Sequence, residues 1–116
     1  MTDTVDAFLP LPAATFHILM ALAAGPLHGY AIMQDIEHRS GGAMRLNAGS
    51  LYRSIARMVE QGLVEETMKR RTHDDDERRR YYSITPLGTS VAGAEMRRMT
   101  QLVRWARSSG LSPEMA

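Results

Sequence analysis

The sequence predicts a mainly α chain with one small β-hairpin: three short helices, two strands, then a long final helix. Three observations point there. Apolar residues recur at helical spacing in three segments, each closed by glycine. Two strand-rich runs, LVEETMKR (63–70) and RRYYSIT (79–85), flank the polar turn RTHDDDE (71–77). Thr85-Pro86 then opens a run with no strong stop before Gly110 and Pro113.

In the first helix, PAATFHILMALAAGP, residues Phe16, Leu19, Met20 and Ala23 fall at i, i+3, i+4, i+7, which predicts one apolar stripe. Gly25-Pro26 stops it, because glycine tolerates a left-handed C′ conformation and proline cannot continue a helix. The second helix lies in HGYAIMQDIEHRSGG. Ile32, Met33 and Ile36 form its apolar face, and Gly41-Gly42 end it.

The third helix lies in AMRLNAGSLYRSIARMVEQG. Asn47 is the expected N-cap and Gly62 the expected C′ residue. Leu51, Ile55, Met58 and Val59 form its inward stripe, at i, i+4, i+7, i+8. The strands follow, with Tyr81, Tyr82, Ile84 and Thr85 as strand formers. The last helix starts with Thr85 as N-cap and Pro86 at its first position. Ala92, Met96, Met99, Val103 and Ala106 are spaced 4-3-4-3 along it, the seam by which one helix packs along another.

Three helices followed by a hairpin is the winged helix-turn-helix arrangement. The expected domains are 1–85, a winged helix-turn-helix domain that binds DNA, and 86–116, a C-terminal dimerisation helix and tail. In a helix-turn-helix the second of the paired helices enters the DNA major groove. Ser50, Arg53 and Arg57 fall opposite the inward stripe, and arginine can grip guanine or phosphate bidentately. Ser50 and Tyr52 can offer hydroxyls to phosphate near the helix start, and Arg45 and Asn47 lie just before it. On this helix alone, a solvated face with two arginines is the ordinary reading.

The hairpin shifts the balance towards DNA. Lys69, Arg70 and Arg71 lie on one arm, and Arg78, Arg79 and Arg80 on the other. The charge is correspondingly uneven. Residues 1–38 hold four acids and no Lys or Arg, whereas 39–85 hold ten bases against seven acids. The acids Asp74, Asp75, Asp76 and Glu77 at the tip cut against a simple wing, since phosphates would repel them. The competing expectation is a winged-helix protein-interaction module that does not bind DNA.

Three segments resemble the PadR family of transcriptional regulators: LHGYAIMQDIE (27–37), LNAGSLYRSIARMVEQGLVEE (46–66) and RRRYYSITPLG (78–88). The resemblance covers roughly residues 11–90 in register. His28-Gly29-Tyr30 matches the start of the family's second helix. Gly49-Ser50-Leu51-Tyr52 matches the start of its recognition helix, where hydroxyls meet the phosphate backbone, and Arg80-Tyr81-Tyr82 matches the second wing strand. The resemblance implies a homodimer on a palindromic operator, usually a repressor, and in many members one released by a phenolic or drug-like aromatic effector. Ala48 stands where many members have proline, and the acidic tip is unusual. With one helix after the wing, the chain is similar to the subgroup with a short C-terminal region.

The final helix, about 36 Å long at 1.5 Å per residue, exceeds what a domain of this size can cover, so its seam is expected to meet a second copy. Trp105, the lone tryptophan, is expected either to anchor that interface or, with Met99 and Leu102, to wall an aromatic pocket. Catalytic chemistry is not expected. His17, His28, His38 and His73 lack ligand spacing, SGGAM lacks the lysine of a phosphate loop, and there is no cysteine. No metal, cofactor or enzyme activity is therefore read. No apolar run approaches the roughly 20 residues of a membrane span, and MTDTVDAF has no basic leader region, so a soluble cytoplasmic protein is expected.

Overall fold

The computed structural model describes residues 2–68 and 80–111, with the side chains of Thr2 and Asp3 left aside. Five helices and three short strands follow in the order α1 (Thr2–Asp6), α2 (Ala13–Leu22), β1 (Leu27–His28), α3 (Gly29–Arg39), α4 (Ala48–Glu60), β2 (Val64–Thr67), β3 (Tyr81–Ile84) and α5 (Pro86–Ser108). The arrangement is the winged helix-turn-helix expected, with a long helix after the wing strands.

Local signals place most boundaries. Asn47 caps α4, its side chain accepting from Ser50 N at 2.8 Å. Gly62 takes φ +79 directly after that helix, a left-handed conformation that costs glycine little. His28 caps α3 through Nδ1, which accepts from Ala31 N at 3.2 Å. Thr85 caps α5: its Oγ1 accepts from Gly88 N at 2.9 Å and donates to the Gly62 carbonyl at 2.6 Å. One hydroxyl thus ties the start of α5 to the end of α4.

The core gathers Ile18, Leu19 and Leu22 of α2, Ile32 and Ile36 of α3, Leu51, Ile55 and Met58 of α4, Leu63 and Val64 beside and within β2, Tyr82 of β3 and Val91 of α5. Two expected stripes are corrected. In α2 the buried residues are Thr15, Ile18, Leu19, Ala21 and Leu22, while Phe16 and Met20 are half-buried and Ala23 is exposed. Nearly every residue of α2 is apolar, so the pattern does not single out a face; contacts with α3, α4 and α5 do. In α4, Val59 is 42% exposed and does not join Leu51, Ile55 and Met58.

The sheet also differs from a plain hairpin. Its order is β1-β3-β2, with β3 central. Leu27 pairs with Tyr82 and His28 with Tyr81, while Val64–Thr67 pairs antiparallel with Tyr81–Ile84. A two-residue strand carries no periodicity, and β1 exists because β3 offers it an edge. The short helix α1 was not expected either. The strand ends at 69–70 and 79, the turn 71–77 and Pro113 lie outside the described residues.

One buried acid joins the two ends of the chain. Glu95 of α5 is 2% exposed. Its Oε2 accepts from the Leu11 amide at 2.9 Å and from Arg98 Nη2 at 3.1 Å, and Oε1 accepts from Arg98 Nε. A lone buried carboxylate is costly; the hydrogen bonds from Arg98 and Leu11 offset that cost. The Arg98 hydrogen bonds, the largest influence, hold the Glu95 carboxyl below its ordinary range against the opposing effect of burial.

Two outcomes follow from these contacts. Thr85→Ala removes a cap and a tether together and lowers stability by about 1–2 kcal/mol, measured as the urea midpoint at unchanged slope. Glu95 has a depressed folded-state pKa, so its contribution is complete above the unfolded value of 4.5 and is lost as pH falls through the lower folded value. Urea titrations across that window should show the native chain losing stability faster than Glu95→Gln; parallel curves would contradict it.

Candidate nucleic-acid interface

The geometry of α4 is set by what it buries. Leu51, Ile55 and Met58 are 0%, 2% and 1% exposed, so the helix has one rotation about its axis. In that rotation Arg53 and Arg57 are exposed and Ser50 is half-buried. Arg53 Nη2 donates to Ser50 Oγ at 3.4 Å, which keeps the two side chains on one ridge. Arg57 has no ion-pair partner among the described residues, and the first turn carries no acid. The outcome is a cationic, hydroxyl-bearing face.

The other expected site residues fall around this ridge in different ways. Asn47 spends its carbonyl oxygen on the Ser50 amide. Arg45 turns towards α3, with Nε 3.2 Å from Glu37 Oε1, an exposed pair. The Tyr52 ring lies against the first residue of α3: a Cβ on Gly29 would sit 2.1 Å from the Tyr52 hydroxyl oxygen. A side chain at position 29 would therefore have to displace the Tyr52 phenol. The phenol is 46% exposed, and its hydroxyl end faces the α3 start.

On the wing strands, Arg80 Nε lies 3.7 Å from Glu66 Oε1. Burial first, then the neighbouring Glu66 and Tyr52, push the Tyr82 phenol above its usual pKa, while Arg80 opposes them. Lys69, Arg78, Arg79 and the acids Asp74–Glu77 lie outside the described residues.

Tertiary packing adds residues that spacing did not mark. The start of α2 faces α4 across a cleft of about 320 Å³ lined by Pro12, Thr15, Ser50, Arg53, Ser54 and Arg57. A neighbouring cleft of about 240 Å³ shares Pro12, Thr15 and Arg57 and adds Phe8, Leu11 and Gln61 among its walls. Thr15 and Ser54 carried no signal in the sequence: one sits within an apolar run, and the other beside the outward positions of α4. Among the described residues there is no cluster of His, Cys, Asp or Glu that could hold a metal ion, and no helix long and apolar enough to cross a membrane.

The final helix divides in two. Gly88, Val91, Ala94 and Glu95 are buried, and Ala92 packs on the core. Beyond Glu95 no described residue is buried. Met96, Leu102, Val103 and Trp105 are 59%, 44%, 49% and 60% exposed, while Met99 and Ala106 are half-buried. The expected seam therefore serves the chain's own core at Ala92 and is open along its second half.

Comparison with known proteins places this architecture. The model of the transcriptional regulator PadR-like family matches residues 18–94. The chain belongs to that family. It is 41% identical over 85 residues to an uncharacterised 37.1 kDa protein in transposon TN4556 of Streptomyces fradiae, a match covering 73% of this chain and 22% of that protein. The matched region is thus about a fifth of that relative's length. Among solved structures, a transcriptional regulator from Clostridium thermocellum superposes with TM-score 0.68 at 21% identity, covering 93% of this chain and 95% of that one. Bacillus subtilis PadR, solved in complex with operator DNA, superposes with TM-score 0.61 at 17% identity over 75% of this chain and 48% of its own. These likenesses are of fold.

Proposed function

We propose that the chain is a sequence-specific DNA-binding transcriptional regulator, a repressor that acts as a homodimer on a palindromic operator and is released by a small aromatic ligand. The observation that carries this reading is the outward ridge of α4, where Ser50, Arg53 and Arg57 share one face while Leu51, Ile55 and Met58 are held in the core. Family membership and the operator complex of Bacillus subtilis PadR support it.

In this reading α4 enters the major groove. Arg53 addresses base edges and Ser50 steadies its guanidinium. Arg45, Asn47 and Tyr52 flank the groove. Lys69, Arg78, Arg79 and Arg80 of the wing neutralise backbone phosphates. Arg80 exchanges its long contact to Glu66 for a phosphate, because a solvent-exposed ion pair is worth only about 0–1 kcal/mol.

The open half of α5 supplies the dimer contact through Met96, Met99, Val103 and Ala106, continued inward by Ala92. A two-fold axis there sets two α4 helices about 34 Å apart, one turn of DNA. Trp105, with Met99 and Leu102, offers an exposed indole and apolar neighbours as a wall for a flat ligand.

Selection of bound duplexes from a random pool should return an inverted repeat. On that duplex Arg53→Ala costs about 1–3 kcal/mol and relaxes the preference at one position of each half-site. Unchanged affinity and preference would sink the assignment of α4. Val103→Glu places a charge in the open apolar stripe. Sedimentation should then show monomers, with operator affinity lost in step.

A further inference from the structure

The cleft between the start of α2 and α4 has the composition of an oxyanion site. Thr15, 7% exposed as a residue, lines the cleft, and its hydroxyl has no hydrogen-bond partner among the described residues. The hydroxyl oxygen itself is not sealed from solvent, so it can donate to an oxygen that enters from outside the chain. Helix α2 begins beside it with Pro12 at the cap position and no side-chain cap. The first backbone amide to bond back is that of Phe16, to the Pro12 carbonyl at 3.2 Å, so the amides of Ala13, Ala14 and Thr15 keep their donors for another acceptor. Across the cleft stand Ser50, Ser54, Arg53 and Arg57, and no carboxylate among the described residues lines it.

We infer that this cleft binds a phosphate: Thr15 and the α2 amides hold one side of it, Ser54 and Arg57 the other. Helix starts favour anions through their free amides and the positive end of the helix dipole, and an arginine opposite completes a charge-assisted grip. The cleft has room for a phosphate with water around it. Its lining residues Ser50 and Arg53 belong to the α4 ridge, so the phosphate assigned to it is one of the duplex backbone, at the edge of the groove that α4 enters. That last step rests on the DNA-binding reading; the oxyanion chemistry does not. The assignment divides the labour of the two arginines: Arg53 addresses bases, and Arg57 holds the backbone.

The test uses the full chain and two probes, inorganic phosphate and a random-sequence duplex. Phosphate titrated into ¹⁵N-labelled protein should shift the amide signals of Ala13, Ala14 and Thr15, and Thr15→Val, which keeps the shape and removes the hydroxyl, should abolish the shift. On the duplex, Thr15→Val should weaken binding about five- to tenfold, as expected for a hydrogen bond to a charged group. Ser54→Ala, a change on the surface of α4, should weaken it in the same direction. Arg57→Ala should lower the slope of log affinity against log salt by about one, equally for all duplex sequences. Arg107→Ala, which removes the same charge from the last turn of α5, should leave the slope unchanged. No amide shift together with native duplex affinity in Thr15→Val overturns the site. A phosphate shift with duplex affinity untouched overturns the backbone assignment and gives the cleft to a small free phosphate compound. A phosphate shift in a native chain that binds no duplex keeps the oxyanion site and removes the DNA-binding reading instead.

Discussion

The rotation of α4 about its own axis is the constraint on which the rest of the molecule turns. Leu51, Ile55 and Met58 lie within 2% of complete burial. Exposing them would cost about 1.5–3 kcal/mol each, and turning Arg53 or Arg57 inward unpaired would add several more. A domain of this size has a total stability of about 5–15 kcal/mol, so the helix has no second orientation within reach. The cationic face follows from the apolar one. Core packing thus does the work of presentation, and no salt bridge is needed to aim either arginine.

A second constraint reaches the same surface from the far end of the chain. Glu95 sits buried in α5 and accepts the Leu11 amide one residue before the cap position of α2. Arg98 compensates the charge on the solvent side. The contact fixes where α2 begins, and the start of α2 forms one wall of the cleft beside α4. Thr85 does similar work at the other end of α5, holding its first turn to the chain after α4. The long helix is therefore part of the scaffold for the first half of its length.

Its second half has a different character. From Met96 onward no apolar side chain among the described residues is buried. An apolar stripe left in water is costly, and the proposed two-fold partner would cover it. The same helix carries the open stripe and, through Glu95, meets the chain at the start of α2.

Much of this was legible along the chain. Signals that act within a few residues read true: Asn47 and Thr85 as caps, Gly62 in the left-handed region, Pro86 opening α5, and Leu51, Ile55 and Met58 against Arg53 and Arg57. The family resemblance was carried by those same local motifs. What spacing did not reveal were several features made by residues distant in sequence. The buried face of α2 depends on three other helices, since nearly all its residues could be inside. Strand β1 is two residues that need β3, Val59 continues a stripe but finds nothing to cover it, and Glu95 resembles any surface acid until Leu11 and Arg98 close around it. Tyr52 lies over Gly29, and Thr15 comes to face Ser54 and Arg57, only once α2, α3 and α4 are stacked. Periodicity and capping are written in the order of residues because they act over one or two turns; faces, edges and clefts depend on which elements meet, and that is settled by packing.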